Sequence, residues 1–287
     1  MTKSSGTILG GDRRPEGRGT GTGPRNYQNI LFDVADGIAR LTFNRPERLN
    51  SFNVAMHGEV REVLASLQTG SQARVLVITG AGRGFCAGQD LGDRAIAPGG
   101  AAADLGASVE KYYKPLVMML RNLPLPVIGA INGVAAGAGA NIALACDLVI
   151  ATRSASFIQG FSKLGLVPDS GGTWFLPRLV GTARAIGLAF LGDKLSAEQA
   201  AQWGLIWRCV EDVEFTGVVD GLARQLAAAP TKSLVLTKQA IYESWGRSLE
   251  GQLDIERDYQ RELGFTADYV EGVAAFTQKR TPQFKGN

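Results

Sequence analysis

An α/β fold is what this sequence predicts, on three observations. Segments such as RVLVITGAG (74–82) and PVIGAIN (126–132) are continuous apolar runs, as strands covered on both faces are. Stretches of helical period lie between them, so the first two-thirds of the chain reads as repeated β-β-α passes. Small-residue turns follow the strands, where open α/β sheets place their ligands.

In order along the chain, ILFDVAD and IARLTFN alternate apolar with polar residues across Asp36-Gly37, the turn chemistry of a β-hairpin. Residues 53–68 have a helical period, followed by the buried strands 74–82 and 126–132 and two shorter ones, DLVIAT (147–152) and ASFIQ (155–159). Beyond Gly172 helices take over: Thr173–Val180, Ala183–Leu191, and a helix opened by the capping box Ser196-Ala197-Glu198-Gln199. Only IWRCVE (206–211) reads as a further strand, and Val218–Lys279 is nearly all helix with breaks at Pro230, Gly246 and Gly264. These helices carry more apolar surface than a segment of their length can bury, which predicts a homo-oligomer. The domain reading is therefore a tail (1–26), an α/β core with the site (27–192), and a mainly helical oligomerisation region (193–287).

The 287 residues, 45% apolar, suffice for a large core. Residues 1–26 hold seven glycines and few apolar side chains, too few to offset ordering entropy, so they read as a disordered tail or as a start assigned too far upstream. They lack the apolar stretch of a signal peptide. A formal charge of +3 with scattered basic residues does not indicate nucleic acid but suits a small phosphate-bearing molecule. Cys86, Cys146 and Cys209 are odd in number and far apart, which suits buried thiols in a reducing, cytoplasmic compartment rather than zinc or disulfides. No apolar run reaches the ~18 residues of a membrane span. The glycine turns lack the patterns that hold nucleotide cofactors, so no metal, flavin or nicotinamide is expected.

The chemistry is concentrated in 126–173, where Asp147 and Asp169 are the only carboxylates. Gly137-Ala138-Gly139-Ala140 opens a helix and so leaves backbone N–H groups free to meet an anion. Phe85–Leu91 follows a buried strand, and paired with the Ala136–Ala140 turn it offers two N–H donors for one oxyanion. Asp169 stands in Pro168-Asp169-Ser170-Gly171-Gly172, before another helix. Polarising donors and one acid suggest proton transfer beside a carbonyl. An Asp in such a turn is equally an ordinary helix cap, and the residues alone leave both roles open. Asp147, between helix and strand, reads as a structural cap or pair, and His57 as a helix-surface or packing residue. Asp90 and Asp93 lie near the first of these turns as loop carboxylates, solvated or paired with Arg94. Phe157, Phe161 and Trp174 either line an apolar pocket or belong to the core.

Asn44–Asn50, Phe85–Leu91, Ile131–Gly137 and Pro168–Thr173 resemble, in order and spacing, the signatures of the enoyl-CoA hydratase/isomerase (crotonase) superfamily. FCAGQDLGDR, FSKLGLVPDSGGTWFLPRLVG and QLDIERDYQRELG most resemble its isomerases of phenylacetate breakdown. The resemblance implies a crotonase-like spiral of β-β-α units with a C-terminal helical trimerisation region, as a trimer or dimer of trimers. It implies an acyl-CoA thioester whose oxygen is held by the backbone N–H groups of Gln89 and Ala138, with Asp169 as the acid. The side chain at Gln89 is only loosely specified by that role. The expected reactions are conversion of ring-1,2-epoxyphenylacetyl-CoA to the oxepin thioester and the shift of 3-enoyl-CoA to 2-enoyl-CoA, with coenzyme A as part of the substrate. Arg45 or Arg48 would meet its phosphates, and Phe276 and Lys279, often a neighbour's, its nucleotide. Hydratases of the family use two glutamates where this chain has Asn141 and Phe161, so water addition is poorly supported. An aromatic acyl-CoA dehalogenase would carry tryptophan at Phe161 and an assisting histidine. A non-catalytic RNA- or protein-binding member would have lost the acid or gained a basic stripe.

Overall fold

The computed structural model describes residues 27–94 and 104–287; the tail assigned to 1–26 lies outside them, as do the side chains of Asp93 and Arg94. Two sheets organise the chain. The larger has six strands in the order β1-β2-β3-β5-β7-β10, the smaller four in the order β4-β6-β8-β9. The hairpin β1 (Ile30–Ala35) and β2 (Ile38–Phe43) turns through Asp36 and Gly37, both at positive φ (52° and 75°), as a tight two-residue turn requires. From there each pass lays one strand in each sheet and closes with a helix. The first is β3 (Val75–Gly80), β4 (Gly84–Cys86) and a helical segment ending in α2; the second is β5 (Val127–Ile131), β6 (Val134–Ala136) and α3 (Ala138–Leu144). The third is β7 (Leu148–Thr152), β8 (Ser156–Ile158) and α4 (Gly172–Leu191). Successive strands pair in parallel, Leu76 with Val127, Gly129 with Val149, Gly84 with Val134. This is the spiral of β-β-α units that the sequence predicts.

Several elements go beyond that reading. β4, β6 and β8 are three residues each, and the sequence presents the first two as parts of turns. The helical segment after the first pass starts at Leu105–Ser108, widens into a π-turn at Val109–Tyr113 and continues as α2 (Lys114–Arg121); the sequence reading has nothing there. Past residue 192 the chain returns to the sheets: β9 (Lys194–Ser196), which the sequence reading lacks, runs antiparallel to β8, and β10 (Arg208–Val210), within the strand expected at 206–211, runs parallel to β7. Core and helical region thus share both sheets.

The main core lies between the sheets and α1 (Val54–Gln68), with Phe43, Phe52, Met56, Leu64, Phe85 and Leu120 fully enclosed. A second layer forms where α6 (Phe215–Ala227) puts Val219, Ala223 and Ala227 on Ile38, Val75, Val77 and Ile150. Burial on both faces is why β3 and β7 carry apolar residues without alternation. Each such side chain contributes roughly 1.5–3 kcal/mol. Ser196 caps α5 (Ala197–Gln202) by accepting from the Gln199 N–H, as its spacing predicts. α4 is long and apolar enough by length and composition to cross a bilayer, but its backbone leaves helical geometry at Gly181 (φ 77°, ψ 161°), where the sequence predicts a break.

α7 (Thr231–Glu243) is fastened to the core by charge. The largely buried Asp147 accepts from the Val127 N–H at 2.8 Å, from Lys238 Nζ at 3.1 Å and from the Tyr242 hydroxyl. This fulfils the structural role expected of Asp147. Burial pushes the Lys238 ammonium below its ordinary pKa, with Asp147 opposing the shift. α8 (Leu249–Gly264) buries none of its residues, and α9 (Ala267–Thr277) leaves Tyr269, Val270, Val273 and Phe276 uncovered; Phe265, between them, is 88% exposed.

Candidate active site

β4 and β6 are parallel neighbours, so the chain leaves both in the same direction, side by side. The two turns then touch backbone to backbone. Gly88 has φ +89°, and a Cβ on it would stand 2.9 Å from the Ala136 carbonyl and 3.2 Å from the Ala138 nitrogen; a Cβ on Gly139 would run into the Cys86 carbonyl. Glycine is required at both positions by this approach. The first turn is pinned to Leu49–Phe52: Ala87 N donates to Leu49 O (2.9 Å), Phe52 N to Gly88 O (2.7 Å) and Asp90 N to Phe52 O (2.9 Å). Among the described residues the Gln89 N–H, between these bonds, has no backbone acceptor. The Ala138 N–H opens α3 and therefore has no carbonyl one turn back to bond. Gly137 is fixed by its own N–H bond to Ile158 O at 2.8 Å.

The Gln89 side chain has a structural role that the sequence leaves open. Its Oε1 accepts from the Tyr113 hydroxyl at 2.8 Å and its Nε2 donates to the Phe52 and Asp90 carbonyls at 3.1 and 3.2 Å. Tyr113 ends the π-turn and is fully buried. The sequence does not disclose it, because the π-turn breaks the 3.6-residue period. His57 packs against Phe52 (4.7 Å between centroids) and Tyr113 (4.6 Å), the packing role expected of it.

Asp169 sits half-buried in the turn before α4. Ser170 and Gly171 both have positive φ (52° and 84°), and the turn closes by Gly172 N donating to Asp169 O at 2.9 Å. Ser170 Oγ donates to Asp169 Oδ1 at 2.9 Å. Asn141, from α3, donates its Nδ2 to Asp169 O at 2.7 Å and accepts from Gln159 Nε2 at 2.8 Å. The turn bearing the acid is thereby tied to the helix that presents the Ala138 N–H. Phe161 is buried beside this point, its Cζ 3.8 Å from where a Cβ on Gly137 would stand.

Residues 33–287 match the family model described as enoyl-CoA hydratase/isomerase. The chain belongs to the enoyl-CoA hydratase/isomerase family. Relatives include the 1,2-epoxyphenylacetyl-CoA isomerase of Escherichia coli (strain K12), 58% identical over 90% of this chain and 98% of that protein. The 4-chlorobenzoyl coenzyme A dehalogenase-2 of an Arthrobacter species is 33% identical over 77% of this chain and 80% of its own length. Among solved structures, the enoyl-CoA hydratase from Bacillus anthracis superimposes with a TM-score of 0.84 at 34% identity, covering 91% of this chain and 100% of that one.

Against this enoyl-CoA hydratase/isomerase framework, the remaining candidates separate. Arg45 and Asp90 hold each other, a pairing the sequence reading does not give. Arg45 Nη2 lies 2.9 Å from Asp90 Oδ2 with both side chains largely buried, and its Nη1 donates to Ser51 O. The Phe52–Gln89 bridge lays the first signature beside the second and so creates the pair. Burial raises the Asp90 pKa, but the Arg45 bond and the Gly92 N–H outweigh it and hold the carboxyl below its ordinary value. Arg48 stays exposed. Trp174 is half-exposed, with its ring 5.0 Å from Trp245 and under the Arg178 guanidinium at 4.5 Å. Phe157 is core. Phe276 lines a cavity of about 410 Å³ with Lys232, Tyr269 and Phe284, to which neither Gln89, Ala138 nor Asp169 contributes. Lys279 follows α9 at positive φ (54°).

Cys86 and Cys146 are buried and Cys209 half-buried, all as free thiols; burial pushes the Cys86 thiol up to about 12, which keeps it protonated and inert beside the turn. Among the described residues no group of three or more His, Cys, Asp or Glu side chains could hold a metal ion.

Proposed function

We propose that this protein is an acyl-CoA isomerase that converts ring-1,2-epoxyphenylacetyl-CoA to the oxepin thioester and moves a 3,4 double bond of an enoyl-CoA to the 2,3 position, in the cytoplasm. The observation that carries this reading is the pairing of two backbone N–H groups, at Gln89 and Ala138, that have no backbone acceptor among the described residues, with one acid turn tied to the same helix. The 58% identity to the E. coli isomerase supports the substrate.

In the enoyl shift, the Asp169 carboxylate takes a proton from C2, the thioester oxygen gains the charge of the resulting dienolate, and the same carboxyl returns the proton to C4. No atom is gained or lost and nothing is oxidised, so the reaction requires no redox cofactor. The α-proton of a thioester is weakly acidic, and each preorganised donor facing the oxygen lowers the barrier by about 3 kcal/mol. Phe161 beside the Gly137 turn supplies an apolar wall for an aromatic acyl group. With Arg45 bound to Asp90, Arg48 is the cation of the first signature that meets the coenzyme A phosphates. Phe276 and Lys279 serve the nucleotide of a neighbouring copy.

Adding purified protein to a 3-enoyl-CoA and recording the absorbance of the conjugated thioester tests the reading; a flat trace refutes it. Hydration of crotonyl-CoA is expected to be slower than isomerisation by at least ~100-fold, because Asn141 and Phe161 cannot move a proton. Comparable rates would mean that a second acid operates.

The uncovered apolar faces of α8 and α9 support a trimer or dimer of trimers, so light scattering at micromolar concentration is expected to give three or six times 30.4 kDa. A monomer overturns the assembly.

A further inference from the structure

Gln159 lies one residue beyond β8 and is 3% exposed, yet its Oε1 has no hydrogen-bond partner among the described residues. Its nitrogen, by contrast, donates to Asn141. The Asp169 carbonyl can only accept, so the Asn141 atom 2.7 Å from it must be Nδ2; the Asn141 oxygen then points at Gln159, whose near atom must be Nε2, at 2.8 Å. The direction of both bonds is dictated by one backbone carbonyl. The residue before Gln159 supplies the carbonyl that holds the Gly137 N–H, so Ile158-Gln159 fixes the donor turn through its backbone and the acid turn through a side chain. Gly172 completes the fit, since any Cβ there would collide with the Asn141 amide.

We propose that Gln159 is a positioning residue, which orients Asn141 and through it sets the Asp169 turn relative to the Ala138 N–H. This rests on the isomerase reading above, with Asp169 as the acid. It also gives Asn141 a new role at a position where hydratases carry an acid, that of holding a neighbouring acid in place. A buried amide with one unpaired end is a poor device for stability, and its satisfied end faces the site.

The test is steady-state kinetics on a 3-enoyl-CoA with thermal unfolding of the same samples. Gln159→Met removes both the donor and the unpaired oxygen at similar volume. Its kcat is expected to fall about 10–100-fold, the scale on which misplacement of a catalytic group acts, with KM within about two-fold and the unfolding midpoint equal to or above the parent's. Asn141→Ala is expected to lose kcat similarly, and Asn141→Ala/Gln159→Met to be no worse than Asn141→Ala, because Gln159 acts only through Asn141. Additive losses, or a fall in kcat that merely follows a lowered midpoint, overturn the proposal. Should Gln159→Met fail to fold, Gln159→Leu with the same cycle decides it. Asp169→Asn run alongside separates the two readings. Full turnover in that variant sinks the acid assignment and this inference together, whereas an inactive Asp169→Asn beside unchanged kcat in Gln159→Met sinks this inference alone.

Discussion

Asp169→Asn is expected to lower isomerase turnover at least ~100-fold, the scale of a lost general base, while the protein folds and assembles as before. The amide keeps the volume of the carboxylate and can still accept from Ser170 Oγ, and the two bonds that shape the turn, from Asn141 Nδ2 and Gly172 N, go to the main-chain carbonyl and are untouched. What disappears is the acceptor for a substrate proton. Circular dichroism and light scattering matching the parent, together with lost thioester conjugation, are the expected result. Turnover near the parent level would leave Asp169 a structural member of the turn, as the acceptor of the Ser170 hydroxyl.

Asp147→Ala is expected to be the most damaging single change to stability, at about 3–5 kcal/mol, the range seen when one partner of a buried ion pair is removed. The carboxylate satisfies the Val127 N–H, Lys238 and Tyr242 together, so its loss strands a buried ammonium and a phenol between the sheet and α7. Loss of the charge alone can be separated from loss of packing. Asp147→Ala/Lys238→Met removes the stranded cation and is expected to regain much of the deficit, read from denaturant midpoints of the three proteins. A double variant as unstable as the single would place the loss in the Val127 and Tyr242 bonds.

The parts of the molecule that the sequence discloses are those whose signals are local. The hairpin at Asp36-Gly37, the buried runs of β3, β5 and β7, the breaks at Gly181, Pro230, Gly246 and Gly264, and the glycine turns of the site all arise from neighbouring residues. β4 and β6 escape because three residues contain no period, although they bring the two donor turns together. The segment 105–121 escapes because Pro115 and the π-turn scatter its apolar positions, and with it goes Tyr113, the brace on Gln89. Arg45 and Asp90 form their ion pair across 45 residues of chain, a distance over which charge patterning carries no signal. Asn141 reads from sequence as an acid that is missing; only the neighbouring Asp169 carbonyl and Gln159 reveal it as a tie.

The alternation of strands between two sheets also dictates an order of events during synthesis. Each new strand docks on one already made, β5 on β3, β6 on β4, β7 on β5 and β8 on β6, so the chain winds onto itself from its N-terminal side as it emerges. Neither sheet has its last edge strand until residues 194–210 have followed, because β9 and β10 supply them. A nascent chain stalled near residue 190 would thus hold both glycine turns yet expose two open strand edges, the features that draw aggregation and chaperones.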